Sequence, residues 1–267
     1  MTALLEAAEL TVTYGGLNAN DRIDLEVEAG KVVGLIGPNG AGKTTFIDAI
    51  TGFTAPTSGR VLFDGHDINH FSPAKRAAAG LTRTFQSLEL FDDLTVWDNL
   101  LVPAERPSIR GVLTDFVRPN RRLDAHAQAE WALQTMQLDD LRDRLTFDLS
   151  HGQRKLVSVA RALASRPKLV LLDEPAAGLD TAESQVLGNH LRDFLERGIT
   201  VFLIDHDMGL VLNVCDDIYV LDFGQIIASG TPAEIRTNPA VIGAYLGQDA
   251  GESQAAEGRV AAGRTGR

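Results

Sequence analysis

Gly37-Pro38-Asn39-Gly40-Ala41-Gly42-Lys43-Thr44-Thr45 decides the fold. It follows the apolar run Lys31-Val32-Val33-Gly34-Leu35-Ile36 and precedes Lys43 to Ile50, which has helical spacing. Strand, glycine loop and helix in that order are the setting in which G-x-x-x-x-G-K-[ST] cradles phosphates. Gly37, Gly40 and Gly42, with Pro38, Asn39 and Ala41 between them, let backbone N–H groups converge into an anion-binding nest. The following helix turns its positive end toward the anion. Lys43 reaches the outer phosphates, the Thr44 hydroxyl ligates Mg²⁺, and Thr45 completes the loop.

Working outward, Leu4 to Val27 reads as short alternating strands broken at Tyr14-Gly15-Gly16, an antiparallel layer. Lys168 to Leu172 and Ile199 to Ile204 read as buried parallel strands. Tyr219-Val220-Leu221 and Gln225-Ile226-Ile227 flank Phe223-Gly224 as a late hairpin. From Leu88 to about Ala164 the pattern is helical, with a helix-rich stretch from Ala125 to Met136 and a broad apolar face from Leu156 to Ala164. Pro103, Pro107, Gly111 and Pro119 punctuate an arginine-bearing loop that reads as solvated surface. Residues 248–267 hold one large aliphatic, Val260, and read as a disordered tail.

A second motif is Leu169-Val170-Leu171-Leu172-Asp173-Glu174-Pro175. A buried strand here ends in two carboxylates at the edge where open α/β sheets bind ligands. Beside a phosphate loop, Asp173 is the candidate Mg²⁺ carboxylate and Glu174 the candidate general base for an attacking water.

Composition bounds the alternatives. With 36 acidic and 25 basic residues the formal net charge is −11, which argues against a protein that coats nucleic acid by neutralising its phosphates. The single cysteine, Cys215, forbids an internal disulfide and fits a reducing compartment. Apolar runs such as Val201 to Ile204 stop after four residues, too short to span a bilayer. The N-terminus lacks a basic n-region and does not read as a secretory signal. If the chain works at a membrane, another chain must hold it there.

Further motifs carry a resemblance. Leu149-Ser150-His151-Gly152-Gln153 resembles the signature motif of ABC-type ATPases, and it precedes Asp173 as it does in that family. Tyr14 resembles the aromatic that stacks on adenine. Gln86, in Arg83-Thr84-Phe85-Gln86, resembles the glutamine that contacts Mg²⁺ and the water and senses the membrane subunit. Ala177-Gly178-Leu179-Asp180 resembles the loop that crosses the dimer interface, and His206 the switch histidine at the γ-phosphate. Taken singly, Tyr14 would be a half-buried aromatic, Ser150 a helix cap and His206 a structural histidine. Their order along residues 4–247 favours the joint reading.

His151 stands where the general signature has glycine. This variant resembles the ATP-binding subunits of branched-chain amino acid importers. Gly80 to Gln86, Leu94-Thr95-Val96, Asp98 to Val102, Glu174 to Leu179, His206-Asp207-Met208 and Ala244-Tyr245-Leu246-Gly247 are also similar to that subfamily.

The resemblance implies an α/β fold: a P-loop NTPase (RecA-like) core with an N-terminal antiparallel β-layer and an inserted helical subdomain. The expected division is 1–87 and 161–247 for the ATP-binding core, 88–160 for the helical subdomain and 248–267 for the tail. The implied activity is hydrolysis of ATP with Mg²⁺, coupled to uptake of a small polar solute, branched-chain or related amino acids. Thr44, Gln86 and Asp173 would serve the metal, and Glu174, His206 and Gln86 the reaction. Ser150, Gly152 and Gln153 would touch the ATP held by a second cassette chain. Transmembrane permeases and, indirectly, a solute-binding protein are the further implied partners, with no nucleic acid. The implied location is the cytoplasmic face of the plasma (inner) membrane, peripherally bound. A soluble ABC-type ATPase would carry two ATPase halves or a long coiled-coil insertion, and the chain has neither. Glu174 and His206 argue against a non-hydrolysing regulatory subunit. A P-loop GTPase would need an Asn-Lys-x-Asp motif, which the chain lacks.

Overall fold

A computed structural model of the chain describes residues 3–85, 90–104 and 120–245. Gln86, the arginine-bearing loop from 105 to 119 and the tail lie outside the described residues.

Two sheets organise the fold. The first is four-stranded and antiparallel, in the order β2-β1-β4-β5. Its strands are β1 (Ala3–Tyr14), β2 (Leu17–Glu28), β4 (Ser58–Phe63) and the short β5 (His66–Asp67). β1 and β2 alternate buried and exposed positions, as expected of a sheet with one dry face. Tyr14 pairs with Leu17 across the turn, so Gly15 and Gly16 make the hairpin expected there.

The second sheet is six-stranded, in the order β10-β9-β3-β8-β7-β6. β3 (Val32–Ile36), β7 (Leu169–Asp173) and β8 (Thr200–Ile204) are buried at every position, as required of parallel strands covered on both faces. β6 (Leu81–Arg83) pairs with β7, and β9 (Asp217–Asp222) pairs with β3, both parallel. β10 (Gln225–Gly230) returns antiparallel to β9 through Phe223-Gly224, the expected late hairpin.

The described helices are α1 (Lys43–Thr51), α2 (Pro73–Ala79), α3 (Val96–Ala104), α4 (Asn120–Thr135), α5 (His151–Leu163), α6 (Thr181–Glu196), α7 (Met208–Val214) and α8 (Pro232–Thr237). None is long and apolar enough to cross a membrane.

Two apolar clusters flank the parallel sheet. Phe46, Ile47 and Ile50 of α1 fill the space between the two sheets with Leu35, Leu171 and Phe202. On the opposite face, Val157, Ala160 and Leu163 of α5 and Leu191 and Phe194 of α6 cover Val170, Leu172, Val201 and Leu203. Val96 and Leu100 of α3 and Ala129, Ala132 and Leu133 of α4 belong to this second cluster, so the helical segment shares its core with the sheet. Cys215 lies there too, and burial pushes its thiol up to about 12. It therefore behaves as a small hydrophobe.

Arg76 is 1% exposed. It donates to the carbonyls of Ala49 and Ile50, which close α1, and to those of Asn69 and Phe71. A cation at a helix C-terminus satisfies orphan carbonyls and complements the helix dipole. Arg76 thus anchors the far end of the helix whose near end forms the phosphate loop.

Candidate nucleotide site

Strand register brings the motifs together. Leu35 of β3 lies opposite Ile204 of β8, and Ile204 lies opposite Asp173 of β7. The phosphate loop, the Asp173-Glu174 pair and Asp205-His206 therefore leave adjacent parallel strands at one edge. Arg83 ends β6 opposite Leu171 of the neighbouring β7, so Arg83-Thr84-Phe85 leaves at that edge too. Ligands of such sheets bind outside this edge.

The loop's glycines answer to close backbone approaches. Gly37 has φ +154° and Gly42 φ +105°. A Cβ on Gly37 would collide with the Leu221 carbonyl, and one on Gly42 with the Ala19 carbonyl. Neighbouring elements hold the loop from outside. Asn20 Nδ2 donates to the Gly42 carbonyl at 3.2 Å, and the Gly224 N–H to the Ala41 carbonyl at 2.9 Å. Asn39 and Gly40 are exposed at the loop's tip, and Thr44 is exposed at the helix start.

Three helices near this edge begin with side-chain caps: Ser150 for α5, Asp180 for α6 and Asp207 for α7. α1 begins on Gly42 with no such cap. Its first-turn N–H groups and positive end suit a bound anion. Lys43 Nζ donates to the carbonyls of Gly37 at 2.6 Å and Pro38 at 2.9 Å. Burial lowers the Lys43 pKa, while Glu174 and Asp173 oppose that shift. Residues of both motifs thus share one electrostatic environment.

Asp173 is almost fully buried. Its Oδ2 accepts from Arg83 at 2.8 Å, and the same guanidinium reaches Asp48 of α1 at 2.5 Å. The rings of Phe85 and Phe53 lie 5.0 and 6.0 Å from the Arg83 guanidinium carbon. Arg83 thus pins the Asp173 carboxylate to the phosphate-loop helix. Replacing it with methionine leaves two carboxylates without their cation. The expected cost is about 3–5 kcal/mol for breaking a buried pair. Urea unfolding should show it as a lowered midpoint with an unchanged slope; an unaltered midpoint would mean the network contributes nothing.

Glu174 is a non-glycine residue in the left-handed region, φ +48°. Such backbone costs about 1–3 kcal/mol and persists only where surroundings impose it. Its N–H donates to the Ile204 carbonyl at 2.7 Å, and its own carbonyl accepts from Lys155 Nζ at 2.8 Å. The His206 ring is largely exposed, with Nδ1 3.8 Å from Glu174 Oε2 and 3.7 Å from Asp205 Oδ1. Asp205, fully buried, accepts from the N–H groups of Ala176 and Asp207, both at 3.0 Å. One carboxylate therefore braces the turns that carry Glu174 and His206.

At the start of α5, Ser150 and Gln153 form a reciprocal capping box. The ring of His151 sits beside Gly178, 3.1 Å from where a Cβ would stand, and Gly152 lies against the Glu183 carboxylate. The signature turn thus abuts the 177–180 loop and the first turn of α6. His151, exposed, stands beside this loop at the position where the general signature has glycine. Tyr14, 53% exposed, ends β1 with its hydroxyl 3.4 Å from Thr54 Oγ1. Near the C-terminus, burial pushes the Tyr245 phenol up to about 12, opposed by the Gly37 backbone.

Among the described residues no three His, Cys, Asp or Glu side chains cluster as a metal-binding set. The donors present are the Thr44 hydroxyl and the Asp173 carboxylate. That set fits Mg²⁺, which takes one or two protein oxygens and completes its shell with phosphate and water.

An uncapped glycine loop and acidic strand ends on a parallel sheet are the marks of an α/β protein of the P-loop nucleotide-binding class. The ABC transporter profile matches residues 20–177, and a branched-chain amino acid ATP-binding cassette transporter profile matches residues 225–251. The chain is 41% identical to BraF of Pseudomonas aeruginosa, a high-affinity branched-chain amino acid transport ATP-binding protein, covering 92% of this chain and 98% of that one. It is 38% identical to LivG of Escherichia coli, of the same description, with the same coverage. The crystal structure of the ADP conformation of an ATP-binding cassette of an ABC transporter superposes with a TM-score of 0.82 at 34% identity. It covers 92% of this chain and 100% of the other. The chain belongs to the ABC transporter ATP-binding family.

Proposed function

We propose that the chain is the ATP-hydrolysing subunit of a branched-chain amino acid importer. The observation that carries the hydrolytic part is the convergence of the Lys43 loop, Asp173-Glu174 and His206 at the ends of three register-paired strands. The solute class rests on the likeness to BraF and LivG and on the profile over residues 225–251.

In this reading Tyr14 stacks on the adenine. Backbone N–H groups from Gly37 to Thr45 and the Lys43 ammonium hold the phosphates. Thr44, Asp173 and Gln86 hold Mg²⁺, which neutralises charge on the phosphates when bound. Glu174 accepts a proton from a water aligned with the γ-phosphate, and His206 contacts that phosphate and orients Glu174.

Two cassettes close head to tail, so that Ser150, Gly152 and Gln153 of one meet the γ-phosphate bound by the other. ATP bridges the chains and ADP, lacking the γ-phosphate, does not. Closing and reopening drives two permeases between outward- and inward-facing states, a shift that the differential affinity for ATP sustains. Residues 88–160 form the helical subdomain, and the assembly sits at the cytoplasmic face of the inner membrane. A solute-binding protein delivers the amino acid from outside.

Uptake tests this reading. Proteoliposomes holding the chain with its second cassette, permeases and binding protein should accumulate labelled leucine only with ATP on the cassette side. Accumulation of a different solute class, with leucine ignored, would overturn the solute assignment and leave the ATPase intact.

A further inference from the structure

Lys155 lies on α5, the helix capped by Ser150. It is 7% exposed, an unusual place for an ammonium group. Its Nζ donates at 2.8 Å to the carbonyl of Glu174. That carbonyl also accepts from the Ala177 N–H at 3.2 Å, at the start of the 177–180 loop. Burial lowers the Lys155 pKa, and the charges of Asp205, Glu174 and Asp173 act against that shift. The lysine therefore faces the acidic side chains at the strand ends, yet its hydrogen bond goes to backbone.

The residue it holds is the strained one. Glu174 adopts φ +48°, and its N–H is fixed by the Ile204 carbonyl. A left-handed glutamate needs restraint on both sides of its Cα. The strand bond restrains the N-terminal side, and Lys155 with Ala177 restrains the C-terminal side. A shift of α5 along its axis would move Nζ and with it the Glu174 carbonyl.

We infer that Lys155 is a positioning residue for Glu174, tying the signature helix of a chain to that chain's own hydrolytic carboxylate. The inference rests on the assignment of Glu174 as the base. The two ends of the link serve different nucleotides: the Ser150 end of α5 meets the ATP of the partner chain, while Glu174 serves the ATP bound by its own chain.

A double-mutant cycle tests it, in the full chain with its second cassette chain, ATP and Mg²⁺. Lys155→Met keeps the length of the side chain and removes the donor. Its kcat should fall about tenfold or more, while affinity for a fluorescent ATP analogue stays within about twofold. Lys155→Arg, which keeps a cationic donor, should recover most of the rate. The decisive comparison is Lys155→Met/Glu174→Gln, which should turn over no more slowly than Glu174→Gln alone, because the lysine acts only through the glutamate. A double variant about tenfold slower than Glu174→Gln would overturn the inference, as would a Lys155→Met chain with parental kcat. If Lys155→Met does not fold, Lys155→Leu, which also lacks a donor, carries the same cycle. A Glu174→Gln chain with the parental rate would instead overturn the base assignment, a separate outcome.

Discussion

Glu174→Gln is expected to lower the rate of phosphate release by roughly 10²–10⁴ while leaving ATP binding close to parental. The substitution keeps the size of the side chain and removes the proton acceptor. The groups proposed to hold the phosphates lie elsewhere: the loop N–H groups and Lys43 at the start of α1. The left-handed backbone at Glu174 is held by the Ile204 carbonyl and Lys155, through main-chain atoms that the substitution leaves in place. Binding and turnover should therefore separate cleanly. Equilibrium titration with a fluorescent ATP analogue and a continuous phosphate assay measure the two. A parallel loss in both would mean the carboxylate holds nucleotide or structure and is not a base.

Lys43→Ala is expected to abolish measurable nucleotide binding at concentrations that saturate the parent. Lys43 Nζ lies against the Gly37 and Pro38 carbonyls, inside the curl of the loop, so it is placed where the outer phosphates would arrive. Its removal deletes the ammonium group of the nest and leaves the loop with the weaker, partial charge at the positive end of α1. The same two hydrogen bonds brace the loop, so part of the loss comes from loop disorder. Turnover falls with binding here, in contrast to Glu174→Gln. Retained affinity would show that the loop's backbone suffices and that the lysine serves another step.

Much of the fold was readable from residue order because its decisive signals are local. The apolar run before Gly37, the glycines and Lys43-Thr44 announce strand, loop and helix within twenty residues. The uninterrupted apolar strands β7 and β8 could be placed in the parallel sheet by the same logic. β4, β5 and α2 are not legible there, being short or alternating segments with no motif of their own, and β6 lies inside the Gly80 to Gln86 motif with nothing that marks it as a strand.

The supports of the site were not readable, for a different reason. Arg83 pairs with Asp173 across 90 residues and Lys155 reaches Glu174 across 19. Arg76 and Lys155 bind carbonyl oxygens, which every residue carries, so no pattern of side chains could point to them. Asp205 carries a weak signal, an acid directly after the apolar run Val201 to Ile204, but His206 beside it carries the functional resemblance. At His151 the resemblance flagged a departure from glycine, and the fold places its ring beside Gly178.

ATP is expected to join two cassettes across a composite site, with the signature of one chain completing the phosphate site of the other. Light scattering after size-exclusion chromatography of Glu174→Gln tests it most directly, with the second cassette chain present. In ATP and Mg²⁺ the mass should double, because the γ-phosphate bridge forms and is not hydrolysed. In ADP, or with Lys43→Ala added, it should stay that of single chains. A Glu174→Gln protein that binds ATP, does not hydrolyse it and remains monomeric at every nucleotide concentration would show that the signature of one chain does not complete the site of the other.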